Sequence, residues 1–256
     1  MSAPAPQLPV IVLIHGFGES REVWTDFTRD FPDEYRLLTP NLLGFGTNTR
    51  DIRDYSMEAQ ARYLAEYLRH RNVEQALLVG HSMGGYAALA FAERYPNMVA
   101  GLSLFHSTAL ADSDEKKANR DKNMDFVMRN GVDKFMESFI RPLFAPVNRE
   151  RMIDQRCFLE DIGKATPTDT VVGALRAMRD RPDRTKVLIE AHYPVQFIVG
   201  KEDVAVTLES MQPQLVMPRE SHVLVLADVG HLGYFERPDD TRRAVLDFAG
   251  RVFREE

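Results

Sequence analysis

Residues 76–86 read Ala76-Leu77-Leu78-Val79-Gly80-His81-Ser82-Met83-Gly84-Gly85-Tyr86. Four apolar residues, too short a run for a helix, lead into Gly80, and a helix-forming run, Ala87 to Ala92, continues towards Pro96. The pattern predicts a strand, a sharp turn and a helix. Gly80 to Gly84 spell G-x-S-x-G, in which the glycines let neighbouring backbones approach closely enough to hold Ser82 strained with its hydroxyl outward. The same five residues would also serve a glycine-rich turn whose serine merely caps the helix. The rest of the chain decides between the two.

Upstream, Val10 to Ile14 is a continuous β-branched and apolar run, as expected for a strand buried on both faces of a parallel sheet. It runs into His15-Gly16-Phe17-Gly18, a turn able to point backbone N–H groups into the crevice above a sheet. Trp24 and Phe27 suit the packing face of a short helix, and Tyr35 to Thr39 a second strand. Ser56 is a suitable cap for a helix carrying Met57, Ala61, Leu64, Ala65 and Leu68 on one face. Downstream of the turn, Val99 to Phe105 is another strand. Strands alternating with helices imply parallel crossover units.

After His106 the alternation stops, and 112–190 shows helix signals without a convincing strand. Val132, Phe135, Met136, Phe139 and Ile140 form an apolar stripe stopped by Pro142, and Thr166-Pro167-Thr168-Asp169 reads as a capping box with proline at the first helical position. The charged run from Asp112 to Lys117 suggests a solvated helix start. Pro194 to Val199 and His222 to Leu226 resume the strands, and a last helix from near Pro238 carries Ala244, Val245, Phe248, Ala249 and Val252. The expected fold is α/β, a mainly parallel sheet of about six strands flanked by helices. Residues 1–111 and 191–256 would form the core, with 112–190 inserted as a helical cap. Nine residues precede Val10, too few for a paired hairpin.

A chain of 256 residues with 44% hydrophobic content can bury one sizeable core. Cys157 is the only cysteine, so no intramolecular disulfide is possible and a reducing compartment is compatible. Met1 to Pro9 lacks the basic start and apolar run of a secretion signal, and no apolar run approaches the roughly 20 residues that span a bilayer. A cytoplasmic, soluble protein is expected. The net charge of −6 is spread along the chain without a basic block, which argues against nucleic acid as the partner. Oligomeric state is not written in these features.

Ser82, Asp203 and His231 each fall just after an expected strand, where the carboxyl-end loops of a parallel sheet converge on one crevice. A serine hydroxyl is a poor nucleophile at neutral pH. His231 could accept its proton during attack, and Asp203 could hold the imidazole in the required tautomer. The backbone N–H groups of Phe17 and Met83 are candidates for stabilising the resulting oxyanion. Glu202 and Asp228 compete for the acid's role, but Asp228 lies too close in sequence to His231 to approach from another loop. His15 and His81 suit structural roles, whereas His106, Phe135 and Phe139 are candidates for a substrate pocket. With no metal-ligand cluster or nucleotide fingerprint, neither metal nor cofactor is expected, and the partner is a small-molecule ester or related acyl compound.

The order Ser82, Asp203, His231, the His-Gly turn upstream and the helical insertion together resemble the α/β-hydrolase superfamily over essentially the whole chain. The His-Gly-Phe-Gly turn followed by Trp24 is similar to that of its small cap-bearing esterases and lactonases. The resemblance implies a serine hydrolase acting on carboxylic esters, lactones or thioesters through an acyl-enzyme on Ser82, with Phe17 giving the first oxyanion donor. Carbon–carbon bond hydrolases and cofactor-free perhydrolases keep the same triad, and a few members of the superfamily are small-ligand sensors. Two features depart from the pattern: Asn41 opens a loop that often starts with aspartate and ends here at Thr47, and the usual N-terminal hairpin is not expected from the few residues before Val10.

Overall fold

The computed structural model describes residues 8–49 and 52–254. The expected lack of an N-terminal hairpin falls largely on residues 1–7, which lie outside the described residues. Six strands form one sheet: β1 (Val10–Ile14), β2 (Arg36–Leu38), β3 (Ala76–His81), β4 (Val99–Phe105), β5 (Val195–Gly200) and β6 (Ser221–Leu226). Their order is β2-β1-β3-β4-β5-β6, and every neighbouring pair is parallel. The unbroken apolar runs seen in the sequence are the central strands; β1, β3 and β5 are buried at every position.

Helices on both sides explain why both faces are apolar. Helix α1 (Met57–Arg69) packs beside α2 (Met83–Arg94), and the Ser56 hydroxyl accepts the Ala59 N–H at 3.1 Å as a cap. The final helix, which is α10 after the intervening ones below, spans Pro238–Val252. Because side chains alternate along a strand, the face of β4 that carries Gly101 and Phe105 meets Val252 of α10, while the opposite face lies under α2. Trp24 and Phe27 pack on the α10 side against Phe105. They do so from a four-residue 3-10 helix, Arg21–Trp24, and the turns after it, rather than from one longer helix.

Between β4 and β5 the chain forms α3 (Asp114–Asn130), α4 (Val132–Ile140), α5 (Ile153–Lys164), α6 (Thr168–Asp180) and α7 (Thr185–Glu190), with no strand among the described residues. Two local expectations are corrected. Asp112 is not solvated: it is buried, bound by the guanidinium groups of Arg181 at 2.7 Å and Arg120 at 3.1 Å, and Ser113 caps α3 instead. The capping box at Thr166 does not form, because its hydroxyl turns back to the Ile162 carbonyl and Pro167 occupies the cap position one residue later. Short helices α8 (Leu208–Met211) and α9 (Gly233–Glu236) complete the chain.

Candidate active site

Ser82 lies between β3 and α2 with φ +50° and ψ −117°, a conformation costly for a residue with a Cβ. The surroundings hold it there. Its N–H donates to the Phe105 carbonyl at 3.0 Å, and its own carbonyl accepts the Ser107 hydroxyl at 2.7 Å. A Cβ on Gly84 would lie 2.3 Å from the Ile14 carbonyl oxygen, and one on Gly85 would lie 2.2 Å from the Ser107 hydroxyl. The glycines therefore let α2 start directly against β1 and the loop after β4. Met83 opens α2, so its N–H has no acceptor within the helix. The Phe17 N–H makes no hydrogen bond to a described residue either.

Asp203 follows β5 and His231 follows β6, and the Asp203 Oδ2 accepts from His231 Nδ1 at 2.8 Å. Its other oxygen accepts the Ala205 and Val206 N–H groups at 2.8 and 2.9 Å. Burial favours the neutral acid, but the electrostatic attraction and hydrogen bonds of the His231 and His106 rings outweigh it and hold the carboxyl far below the usual range. With Nδ1 donating, the His231 Nε2 carries the lone pair that a base needs.

His106 departs from the sequence expectation of a pocket residue. It directly follows β4 with φ +49° and is buried behind the acid, where its Nδ1 donates to the same Asp203 Oδ2 at 3.1 Å. Burial brings its pKa down to about 4, so the ring is neutral near pH 7, and its Nε2 has no partner among the described residues. His106, Asp203 and His231 bring donor atoms within 4.8 Å of one another. Two N–H groups on one carboxylate oxygen leave no lone pair on that side of either ring for a metal.

A second buried network underlies these loops. Glu19 follows the His-Gly turn; its carboxylate accepts the Gly16 N–H at 2.7 Å and the Tyr234 hydroxyl at 2.8 Å, and it lies 3.1 Å from His81 Nδ1. The other nitrogen of His81 faces the His231 carbonyl oxygen at 2.9 Å. Carboxylate and carbonyl both only accept, so both ring nitrogens must donate and His81 is an imidazolium. Burial opposes this charge, but Glu19 raises the His81 pKa, and His81 in turn pulls Glu19 down to about 2 against its own burial. His15 is neutral by the same logic: Nδ1 donates to the Gly16 carbonyl, Nε2 accepts the Leu42 N–H, and burial lowers its pKa. Glu236 accepts from Gly230 and Ala145 N–H groups, each at 2.8 Å, and from Asn148 Nδ2 at 2.6 Å.

Phe135 and Phe139 lie on α4 facing the His-Gly turn, with rings 6.3 and 5.5 Å from that of Phe17. The loop from Asn41 is held despite its departure from aspartate, since Asn41 Oδ1 accepts the Arg21 N–H at 2.7 Å and Nδ2 donates to Thr47 at 3.2 Å. Glu19, Tyr234 and Glu236 were not singled out from the sequence. The available signal was a carboxylate three residues beyond His-Gly, in a turn otherwise lined by apolar and glycine residues.

A parallel sheet with a strained serine elbow and an Asp–His pair at its carboxyl ends defines an α/β-hydrolase. The sequence profile of the alpha/beta hydrolase family matches residues 11–244, and the chain belongs to that family. A thermophilic esterase from Thermogutta terrifontis superposes with a TM-score of 0.90 at 30% identity, covering 96% of this chain and 91% of the other. Lipase 1 of Psychrobacter immobilis is 29% identical over 251 residues, 90% of this chain and 74% of the lipase. The putative 2-succinyl-6-hydroxy-2,4-cyclohexadiene-1-carboxylate synthase of Bacillus subtilis is 27% identical over 252 residues, 93% of this chain and 89% of the relative.

Proposed function

We propose that the protein hydrolyses carboxylic esters, or the related lactones and thioesters, through an acyl-enzyme on Ser82. As the Ser82 Oγ–carbonyl bond forms, the hydroxyl proton passes to His231 Nε2, and the tetrahedral oxyanion is held by the Phe17 and Met83 N–H groups. Collapse breaks the bond to the alcohol, which leaves with the proton from His231. Water then attacks the acyl group, giving one proton to His231, and collapse returns that proton to Ser82 with release of the acid. Asp203 keeps His231 in the tautomer that each transfer requires. Residues 112–190 serve as a cap that excludes water during acylation.

The observation that carries this reading is the 2.8 Å contact between His231 Nδ1 and Asp203, which leaves Nε2 free to serve a serine held on a strained turn. The named activities of the Thermogutta terrifontis esterase and the Psychrobacter immobilis lipase support an ester as substrate. An organophosphonate should give a single adduct on Ser82 in intact-mass and peptide mapping, and Ser82→Ala and His231→Ala should prevent or greatly slow it. Ester turnover should fall in step with labelling. A protein that turns over esters while Ser82 stays unlabelled would overturn the assignment.

A further inference from the structure

A cleft of about 500 Å³ opens between α3, α4 and the loop after Asp203. Phe17, Ser82, Asp203 and His231 do not line it, but three of its lining residues adjoin the segments that carry them. Phe139 meets the Phe17 ring edge-on at 5.5 Å, the Leu143 carbonyl accepts the His231 N–H at 2.7 Å, and Val204 directly follows Asp203.

Its electrostatics run against the rest of the molecule. The chain carries a net charge of −6, yet Lys116, Arg120 and Lys122 line this cleft and no carboxylate does among the described residues. The acids of α3, Asp114, Glu115, Asp121 and Asp125, all lie outside the lining. Lys116 is held in place by the Ala205 carbonyl at 3.1 Å and keeps two further N–H donors. Arg120 shares the single charge of Asp112 with buried Arg181, which leaves that trio one positive charge in excess. Lys122 makes no ion pair with a described residue. Phe126 and Val204, 39% and 58% exposed, present apolar surface at the same cleft.

A partly apolar lining with incompletely neutralised cations, two of them held in place, fits an amphipathic anion. We infer that this cleft receives the anionic end of the substrate, and that the preferred esters carry a carboxylate separated from the scissile carbonyl by a short apolar spacer. This inference rests on the ester hydrolysis proposed above. Coulomb attraction in a partly enclosed cleft would act on both binding and orientation, and it would weaken with salt.

The test pairs substrates that differ only in the terminal charge. For the acyl side these are 4-nitrophenyl hexanoate and mono-4-nitrophenyl adipate; for the alcohol side, phenyl butyrate and 3-carboxyphenyl butyrate. Rates are corrected for uncatalysed hydrolysis. At low salt, kcat/KM should favour the carboxylate member of at least one pair, and which pair responds tells which side of the ester enters the cleft. Replacing Lys116 and Lys122 together by alanine should reduce the anionic-to-neutral ratio about tenfold, Lys122→Glu should reduce it as well, and added salt should do the same to the wild type. Equal rates within both pairs, or a ratio unmoved by all three changes, would overturn the inference while neutral esters are still cleaved. Failure of the ester reading itself looks different: no ester of either charge is turned over and Ser82 remains unlabelled.

Discussion

Asp203 has four hydrogen-bond donors around its two oxygens, more than orienting one histidine requires. The Ala205 and Val206 amides fix one oxygen, and His106 and His231 share the other. In Asp203→Asn, an amide NH₂ would face N–H donors at one of these positions, so the tautomer of His231 is no longer secured. Turnover should fall by about four orders of magnitude by analogy with the serine-protease template, with the fold retained by circular dichroism. Near-normal turnover would move the acid elsewhere. His106 acts through Asp203, so His106→Asn, which tolerates the left-handed backbone, should lower kcat more than it alters KM. At this scale the placement of Ser82, Asp203 and His231 was legible because each follows a strand, and parallel strands end together. His106 also follows a strand, but whether its ring turns to the pocket or to the acid depends on a backbone angle that residue spacing does not encode.

Among the elements, the ion pair of Glu19 and His81 fastens the turn after β1 to the end of β3, and the other nitrogen of His81 ties both to the loop after β6. Its pH dependence follows from the two shifts. Glu19 is depressed from 4.5 to about 2, so its contribution is fully present above about pH 4.5 and is lost as pH falls towards 2. His81 is raised from 6.5, so its contribution is fully present below about pH 6.5 and is lost as pH rises through its folded value. The pair therefore stabilises most between those limits. Glu19→Gln leaves a buried imidazolium without its counter-charge, and should cost about 3–5 kcal/mol near pH 5.5 in urea unfolding. The loss should shrink at alkaline pH, where the wild type too loses the proton on His81. A deficit independent of pH would show that packing, rather than charge, holds these loops. The β-branched runs and Ser56 announced their elements through local chemistry. The box at Thr166 misled for the opposite reason: a nearby carbonyl at Ile162 competed successfully for the hydroxyl.

At the scale of the whole molecule, the parallel strands and the run of helices between β4 and β5 were readable from alternation and its interruption, but the order of the strands in the sheet and the means of joining insertion to core were not. Those joints are buried or half-buried polar contacts between residues far apart in sequence. Glu236 is the central one, taking N–H donors from Ala145 and Asn148 in the insertion and from Gly230 beside His231. Arg184 joins the other end of the insertion to Glu93 at 3.1 Å and to Glu58. The two joints make separable predictions. Glu236→Ala strands several buried donors, each costing about 1–3 kcal/mol, on both sides of the boundary. Hydrogen exchange should therefore quicken together in peptides covering 143–148 and 229–233, with kcat for small esters falling as the His231 loop loosens. Arg184→Ala should instead quicken exchange around α7 while leaving the 229–233 peptide protected, since that arginine reaches α1 and α2 and not the loop of His231. If Glu236→Ala released only one of its two peptides, the inserted helices and the His231 loop would be independent units, and the helices could move without disturbing that loop.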